Sequence, residues 1–404
     1  MINRTPELLA PAGDWPSLKA AVDCGADSVY FGVKSINMRH LASNFDMLEL
    51  GKVMDLLRQS GRKGYLTLNT ILMEDDLAKA ENILTEAKKV GVDAVILWDM
   101  AALKMAKEKG LDIHLSTQAS VANFEALKFY QGLGVSRVVL ARECTLDDIS
   151  RMVQLKRREN IPCEIETFIH GAMCVSISGR CFLSQYAHGK SANQGQCIQP
   201  CRREYFIKDV NQQAEFVLGQ DYVLSPKDLC TMDFIDEMIK AGIDSFKIEG
   251  RMRSPEYARV VVSAYRRAID AFYEGNLDAP LKLELKEQLK TVYNRGLSTG
   301  FYFGQPQDEN SRTFEHIYEK IYIGYVMKFF KQISVAQIRL QAGDLSKGDT
   351  LIIIGKSTAA EYVVADEIQK DNVYIDKAVR GTDIGVKLPF IANPQDKVYL
   401  WKKK

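Results

Sequence analysis

The chain has 404 residues, of which 46% are hydrophobic and 26% are charged, and its formal net charge is +1. This length exceeds that of one small domain, and the composition supports a packed core and excludes a disordered chain. Because the net charge is close to zero, any contact with nucleic acid must come from local basic patches rather than from a globally basic surface.

The N-terminal sequence MINRTPELLAPAGDW lacks the apolar core of a secretory signal. No apolar run in the chain approaches the length of about 18 residues that a membrane-spanning helix needs. We therefore expect a soluble, cytoplasmic protein. Structural disulfides are rare in that reducing compartment, where clustered cysteines more often bind metal or take part in chemistry.

Short apolar runs alternate with helical patterns along the first part of the chain. The runs that predict strands are 7–13, 28–33, 64–70, 94–99, 113–118, 137–143, 163–171 and 245–253. The helical segments between them show apolar spacing near 3.6 and end at glycine. Eight such units predict an α/β fold with a closed (β/α)₈, TIM-like barrel. The alternative is an open doubly wound sheet, which usually has fewer units and often a glycine-rich phosphate loop.

A cysteine-rich loop follows the seventh predicted strand. It occupies 170–205 and contains Cys174, Cys181, Cys197 and Cys201. Four thiolates at such short spacing can hold Zn²⁺ or an iron–sulfur cluster, and the spacing alone does not decide between them. The alternative is a set of buried, inert thiols, a role that suits Cys24, Cys144 and Cys163 in their helix and strand contexts.

The composition changes after about residue 283. Residues 1–282 are assigned to the barrel domain, which carries the cysteine loop, and 283–318 to a helix and a polar linker. Residues 319–404 contain short strands separated by glycine and aspartate turns, a pattern that predicts a small β-barrel domain.

The carboxyl ends of the predicted strands are unusually polar, which matters because reactive groups of such barrels gather there. These ends carry Asn69, Asp99, Gln118, Arg142, Glu143, Glu164, Glu166, His170, Lys247, Glu249, Arg251 and Arg253. The candidate catalytic residues are Glu143, Glu166, His170, Lys247 and Glu249. Arg142, Arg251 and Arg253 are candidate ligands of an anionic substrate, because a guanidinium binds carboxylates in bidentate geometry. The alternative is that some of these residues form ion pairs that fill the barrel.

One motif match is rejected on its context. GLSTG at 296–300 matches the G-x-S-x-G pattern of a nucleophile elbow. Such an elbow needs a strand before it and a helix after it, whereas a helical segment precedes this one and FYFG follows it. The chain also lacks an H-E-x-x-H motif and a Walker A motif.

Several motifs together resemble one known family. They are ELLAPAGDWPSLKAAVDCGADSVYFG, MRHLASNF, FIHGAMCVSISGRCFLS, NQGQCIQPCRREY, SPKDL, SFKIEGRMRSPEY and NRGLSTGFYFG. With them, nearly the whole chain is similar to peptidase family U32, the collagenase-like proteases. The C-terminal segment resembles the small β-barrel of that family, itself similar to a translation-factor barrel. Members that resemble this chain are implicated in RNA hydroxylation.

The resemblance implies a cofactor and a reaction. It implies a 4Fe–4S cluster on Cys174, Cys181, Cys197 and Cys201, with Zn²⁺ as the alternative metal and Cys230, in SPKDLC, as the alternative fourth ligand. One branch of the family makes 5-hydroxyuridine at the tRNA wobble position from prephenate without molecular oxygen, and the chain length favours this branch. The anionic prephenate could be received by Arg142, Lys247, Arg251 and Arg253.

Three other functions remain open on the sequence: a collagenase-like peptidase, an rRNA cytidine hydroxylation enzyme and a non-catalytic RNA-binding adaptor. The candidate RNA-binding residues are Arg202, Arg203, Lys328, Phe329, Phe330, Lys331 and Arg339. Exposed aromatic rings beside cations can stack on an unpaired RNA base. The alternative is that the aromatic residues fill a core while the lysines are solvated.

Overall fold

The computed structural model of the chain describes residues 5–39, 42–203, 205–208, 215–218, 226–304 and 317–403. The helices are α1 (Trp15–Asp23), α2 (Leu50–Gln59), α3 (Leu77–Val90), α4 (Met100–Glu108), α5 (Phe124–Gly132), α6 (Leu146–Arg158), α7 (Leu183–His188), α8 (Ile235–Ala241), α9 (Pro255–Glu274) and α10 (Ala279–Lys290). None of these helices is both long and apolar enough to cross a membrane.

Parallel strands close into a barrel in the first part of the chain. The strands up to residue 304 are β1 (Glu7–Ala12), β2 (Ser28–Phe31), β3 (Lys63–Leu68), β4 (Ala94–Leu97), β5 (Ile113–Leu115), β6 (Arg137–Val139), β7 (Glu164–Ala172), β8 (Tyr205–Lys208), β9 (Glu215–Leu218), β10 (Asp228–Cys230), β11 (Ser245–Ile248) and β12 (Leu297–Ser298). Strands β1 to β7 pair in sequence order, and β11 pairs in parallel with both β1 and β7. The predicted (β/α)₈ class is therefore confirmed.

Glycine ends most of the barrel helices, as the sequence predicts. Gly91, Gly242 and Gly275 cap α3, α8 and α9 in the left-handed conformation that a residue without Cβ adopts without strain. Helix α6 departs from this pattern, because Asn160 takes the positive φ angle after its last turn.

Most barrel strands end earlier than the sequence predicts, and β6 and β11 differ from the prediction the most. Strand β6 ends at Val139 rather than at residue 143, and β11 ends at Ile248 rather than at residue 253. After β11 the chain turns, and the Arg253 amide donates to the Gly250 carbonyl at 2.8 Å. The polar residues at these two ends therefore lie on loops, where their side chains no longer alternate between two faces of a sheet.

The end of β7 carries a short extension of the sheet. Strand β10 pairs with it in antiparallel orientation, and β12 pairs with β10. Helix α10, which the sequence assigns to the linker region, packs on α9 and buries Leu285 and Leu289 in the same core as the barrel helices. The C-terminal part of the predicted linker lies outside the described residues.

The C-terminal strands form an antiparallel domain. They are β13 (Tyr318–Phe330), β14 (Val335–Leu340), β15 (Leu345–Ser346), β16 (Thr350–Ile354), β17 (Ala360–Val364), β18 (Ile368–Lys370), β19 (Val373–Tyr374), β20 (Lys377–Ala378), β21 (Asp383–Lys387) and β22 (Lys397–Lys403). Eight of them make one sheet in the order β17-β16-β22-β13-β14-β21-β18-β19 around a separate apolar core. Its edge strands β17 and β19 are not paired with each other in the described residues.

The C-terminal domain packs along α1 and α9 of the barrel domain. Three buried alanines, Ala20, Ala258 and Ala359, meet at this contact, and their small side chains let the two domains approach closely. Ion pairs flank them, with Arg259 at 2.8 Å from Glu361 among them.

A network of buried charges lies inside the barrel. The Arg137 side chain is 2% exposed and pairs with Glu7 at 2.7 Å, with Glu164 at 2.5 Å and with Glu166 at 3.0 Å. Glu166 also accepts from Lys247 at 2.8 Å. Burial alone would raise the pKa of Glu166, but the charges of Lys247 and Arg137 lower it, so the carboxylate stays ionised. The sequence-based alternative of ion pairs filling the barrel is correct for Glu164 and Glu166.

We expect the Arg137→Ala variant to lose about 3–5 kcal/mol of folding stability, because it leaves buried carboxylates without their cation. The shift of the urea midpoint, followed by far-UV circular dichroism, measures this loss. Arg267→Ala is the matched control, since Arg267 pairs with Glu284 on the surface and its loss should cost less than about 1 kcal/mol. Equal midpoints for the two variants would contradict a stabilising role of the network.

Candidate active site at the carboxyl end of the barrel

The loops after the barrel strands enclose a pocket of about 50 Å³. Its charged lining consists of Arg39, Arg142, Lys247, Glu249 and Arg251. Its polar lining includes Thr67, Asn69, Ser116, Thr117 and Gln118, which come from the ends of β3 and β5. The pocket therefore contains four cations and one carboxylate, an excess of positive charge that suits an anionic ligand.

The one carboxylate of the pocket is neutralised inside the protein. Glu249 Oε1 accepts from Arg39 Nη2 at 2.6 Å and from Arg39 Nε at 3.1 Å, so one carboxylate oxygen receives both charge-assisted hydrogen bonds. Burial alone would raise the pKa of Glu249, but the charges of Arg39 and Arg142 lower it to about 2. Glu249 is consequently ionised and bound to Arg39 at neutral pH.

Lys247 lies deeper in the pocket and is tied to the barrel network. Its ammonium donates to Glu166 and stands 4.4 Å from the centroid of the Tyr30 ring. Burial lowers the pKa of Lys247, and the charge of Glu166 opposes that shift. A lysine whose pKa is lowered in this way releases a proton from Nζ more easily than an exposed one.

Arg142 and Arg251 are the cations of the pocket that have no carboxylate within salt-bridge distance in the described part of the chain. Arg251 is 3% exposed and donates from Nη1 to Thr67 Oγ1 at 2.8 Å. Arg142 lies 4.1 Å from the centroid of the Phe168 ring and donates to the Ala172 carbonyl, while its buried Nε has no partner in the structure. Burial lowers the pKa of Arg251 to about 10, so the guanidinium remains charged at neutral pH.

Six of the predicted strand-end residues lie away from this pocket, and two of them, Glu164 and Glu166, belong to the Arg137 network. Glu143 is exposed in the turn after β6 and contributes no lining side chain. His170 is 1% exposed in the core, where its Nδ1 is 3.3 Å from the Tyr265 hydroxyl, and burial lowers its pKa to about 3. Asp99 caps the first turn of α4, and Arg253 pairs with Asp228 at 2.9 Å outside the pocket.

A second cavity, of about 90 Å³, adjoins the pocket, and we call it the cysteine cavity. All four cysteines of the loop line it: Cys174, Cys181, Cys197 and Cys201. It shares lining residues with the pocket, including Arg39, Gln118 and Arg142. The loop after the seventh barrel strand therefore brings its thiols over the carboxyl end of the barrel, as the sequence predicts.

Two of the thiols in the cysteine cavity accept hydrogen bonds from the cysteine loop itself. The Leu183 amide donates to Cys181 Sγ at 3.3 Å, and the Ser184 hydroxyl donates to Cys197 Sγ at 3.8 Å, contacts that stabilise thiolates. In the described part of the chain, no three His, Cys, Asp or Glu side chains stand at the spacing of ligands to a single metal ion.

Cys230, the alternative fourth ligand, has a different environment. Its side chain is 4% exposed, it does not line the cysteine cavity, and the Tyr265 hydroxyl donates to its Sγ at 3.7 Å. Burial raises the pKa of the Cys230 thiol. Cys201 lines the cavity together with the other three cysteines, so the geometry favours Cys201 over Cys230.

Two arginines hold the cysteine loop against the barrel. Arg202 donates to the carbonyls of Met173 and Pro226, the latter at 2.6 Å. Arg180 donates to the Gln118 carbonyl, and its guanidinium lies 4.8 Å from the centroid of the Trp98 ring. Arg180 thus joins the loop to the segments after β4 and β5, whereas Arg202 joins the end of the loop to its start and to the segment before β10.

The model of peptidase family U32 matches residues 13–312 of the chain. The chain belongs to peptidase family U32. A collagenase of Porphyromonas gingivalis is 39% identical to this U32 chain over 411 residues, which cover 98% of each chain. An uncharacterized protease of Methanocaldococcus jannaschii is 41% identical over 404 residues, again 98% of each.

Another U32 relative has a name of a different kind. The tRNA hydroxylation protein P1 of Bacillus subtilis is 35% identical over 363 residues, which cover 88% of this chain and 85% of that protein. The names of these relatives therefore fall into two activity classes. Family membership by itself leaves both classes open for this chain.

The U32 chain contains site residues that the sequence interpretation missed. Arg39 lines the pocket and the cysteine cavity, although no role was predicted for it. Its signal was the motif MRHLASNF, which places an arginine in the polar loop after β2. Arg180 was missed as well, because nothing in its local sequence indicates that it contacts Trp98.

The residues predicted to bind RNA are spread over unlike environments in this U32 chain. Arg202 is engaged with backbone carbonyls, and Arg339 pairs with Asp383 at 2.8 Å. Phe329 packs on the core of the C-terminal domain, in agreement with the alternative that these aromatic residues fill a core. Phe330 is 38% exposed, with the Lys328 ammonium 4.9 Å from its ring centroid. Lys331 and Arg203 are exposed.

Proposed function

We propose that this U32 protein is an RNA-modifying enzyme that hydroxylates the tRNA wobble uridine to 5-hydroxyuridine, with prephenate as co-substrate and without molecular oxygen. One observation carries the proposal. A pocket in which Arg142 and Arg251 lack a carboxylate partner opens directly into a cavity lined by four cysteines. An anionic small molecule and a redox cofactor would therefore lie side by side.

The pocket suits a dicarboxylate. Each carboxylate of prephenate can accept hydrogen bonds from one guanidinium, and Arg142 and Arg251 are the pocket cations without a carboxylate at salt-bridge distance in the described residues. Lys247 would hold a proton at Nζ toward the ligand, with its charge balanced by Glu166. The Phe168 and Tyr30 rings would exclude water beside it.

The cysteine cavity suits an iron–sulfur cluster held by Cys174, Cys181, Cys197 and Cys201. The four thiols in one cavity and the hydrogen bonds to Cys181 and Cys197 support a 4Fe–4S cluster, the cofactor that the family resemblance implies. When bound, such a cluster supplies one-electron chemistry next to the ligand in the barrel pocket.

A peptidase is the alternative that the collagenase relatives favour. A hydrolase with a side-chain nucleophile needs a serine, cysteine or threonine activated by a base. In the described residues, the side-chain partner of a histidine ring nitrogen is the Tyr265 hydroxyl, 3.3 Å from His170 Nδ1, and not a serine, cysteine or threonine. The hydroxyl of Ser298 accepts a hydrogen bond from the Gly300 amide. This geometry offers less support for acyl transfer than the cationic pocket offers for binding an anion.

The decisive experiment is nucleoside mass spectrometry of tRNA and ribosomal RNA from a deletion strain. We expect 5-hydroxyuridine to disappear from tRNA and to return when the gene is restored. Loss of 5-hydroxycytidine from the large ribosomal RNA instead would assign the other RNA reaction. Unchanged nucleosides together with collagen cleavage by the purified protein would assign the peptidase.

We expect Cys174→Ala, Cys181→Ala, Cys197→Ala and Cys201→Ala each to lose the cluster, because the cavity has no other thiolate to replace a missing ligand. Iron content and visible absorption of anaerobically purified protein measure this. Cys230→Ala is the matched control and should keep wild-type iron, since its thiol does not line the cavity. Full iron in all the cavity variants, or full zinc in a colourless wild-type protein, would contradict the cluster.

We expect Arg142→Ala and Arg251→Ala to weaken prephenate binding at least about tenfold, since each removes a charge-assisted hydrogen bond to a carboxylate. Isothermal titration of the iron-loaded protein measures the affinity. Arg142→Lys should recover part of it, because the charge remains while the bidentate geometry is lost. Arg267→Ala, on the outer surface, is the control. Wild-type affinity in both alanine variants would remove these arginines from the binding site.

A further inference from the structure

A third cavity opens on the outer side of the active site, and we call it the arginine groove. Its volume is about 270 Å³, larger than the barrel pocket or the cysteine cavity. The residues that matter for its chemistry are Arg39, Cys197, Gln199, Glu249, Arg253 and Arg295. We propose that this groove binds a single-stranded segment of the RNA substrate and guides the target nucleotide toward the barrel pocket; the proposal rests on the proposed function.

The charge of the groove favours a polyanion. Arg39 is paired with Glu249, and Arg253 is paired with buried Asp228 at 2.9 Å. Arg295 has no carboxylate within salt-bridge distance in the described part of the chain, and its Nη2 donates to Gln199 Oε1 at 3.3 Å. The charge of the Arg295 guanidinium is thus left for a ligand. A phosphate group suits such a guanidinium.

The same arginines are stacked on an aromatic ring. Arg253 lies 4.5 Å and Arg295 lies 5.4 Å from the centroid of the Tyr293 ring, which is 39% exposed. Tyr293 lies beside the two arginines but does not line the groove itself, so it is the guanidinium groups that face a ligand there. Unpaired bases stack on aromatic rings and on guanidinium planes, so the set can receive a base as well as a phosphate.

The position of the groove connects it to both parts of the active site. Arg39 and Glu249 also line the barrel pocket, while Cys197 and Gln199 also line the cysteine cavity. A strand in the groove would therefore lie beside the reacting centre, and a base turned out of it would meet Arg39 first. Chemistry on a base requires such an extruded or single-stranded nucleotide.

Alternating phosphates and bases account for both features of the groove better than an acidic peptide does. An acidic peptide can neutralise Arg295, but it offers no flat ring to stack on the guanidinium planes of Arg253 and Arg295 in the groove. Single-stranded RNA presents a charge and a planar ring at every nucleotide. Lys328 and Lys331 of the C-terminal domain do not line the groove, so the two surfaces can be tested separately.

The test uses the full-length, iron-loaded protein and a short fluorescein-labelled oligouridine, with fluorescence anisotropy at a series of salt concentrations. We expect Arg295→Ala to weaken binding several-fold and to reduce the slope of log affinity against log salt by about 0.7, the value for one phosphate contact on a single strand. Tyr293→Ala should weaken binding several-fold because it removes the ring beside Arg253 and Arg295, and Tyr293→Phe, which keeps the ring, should bind more tightly than Tyr293→Ala. Arg267→Ala is the matched surface control.

Iron content and prephenate affinity should stay at the wild-type level in every variant, which separates this test from the test of the proposed function. If Tyr293→Ala does not fold, Arg295→Ala and its salt slope decide alone. Wild-type oligouridine affinity and slope in Arg295→Ala would overturn the groove while leaving tRNA hydroxylation intact. Binding of labelled oligoglutamate but not of oligouridine by the wild-type protein would overturn it in favour of a peptide ligand, and tRNA nucleoside analysis would then judge the proposed function separately.

Discussion

The buried Arg137 guanidinium is the interaction on which the interior of the barrel depends. It gathers Glu7 from β1, Glu164 and Glu166 from β7, and so joins strands that lie apart around the barrel. A cation with this many carboxylate partners offsets the desolvation that each charge would otherwise suffer. Because Glu166 also binds Lys247, the network ends at the floor of the pocket and sets the charge balance there.

The site above this floor is assembled from strand ends and from loops. Rigid strand ends contribute Lys247, and longer loops contribute Arg39, Arg142 and the cysteines. The loops are held by guanidinium contacts to backbone carbonyls and rings, with Arg180 and Arg202 joining the cysteine loop to the barrel. This arrangement keeps the cysteine cavity next to the pocket, and none of the four cysteines of the loop belongs to the apolar core of the barrel.

The pattern of local residues was sufficient to predict much of this molecule. Alternating apolar runs and glycine-terminated helices correctly predicted the barrel, and the loop after the seventh strand was correctly assigned to its carboxyl end. Asn69, Gln118, Arg142, Lys247, Glu249 and Arg251 were named from their positions alone and do line the pocket. Residues His170 and Glu143 were named by the same rule, yet one lies in the core and the other on the surface.

The sequence by itself determined the order of elements and the thiol-rich loop, because periodicity, glycine and cysteine spacing act over a few residues. Only the tertiary structure decided which polar side chains meet. Arg39 and Glu249 pair across 210 positions, and a register shift in β11 after Lys247 changes how the following residues are directed. Whether a strand-end carboxylate becomes an ion pair of the interior, a pocket residue or a surface residue depends on cations supplied by distant strands. That pairing energy arises when the barrel closes, and no local pattern in the chain records it.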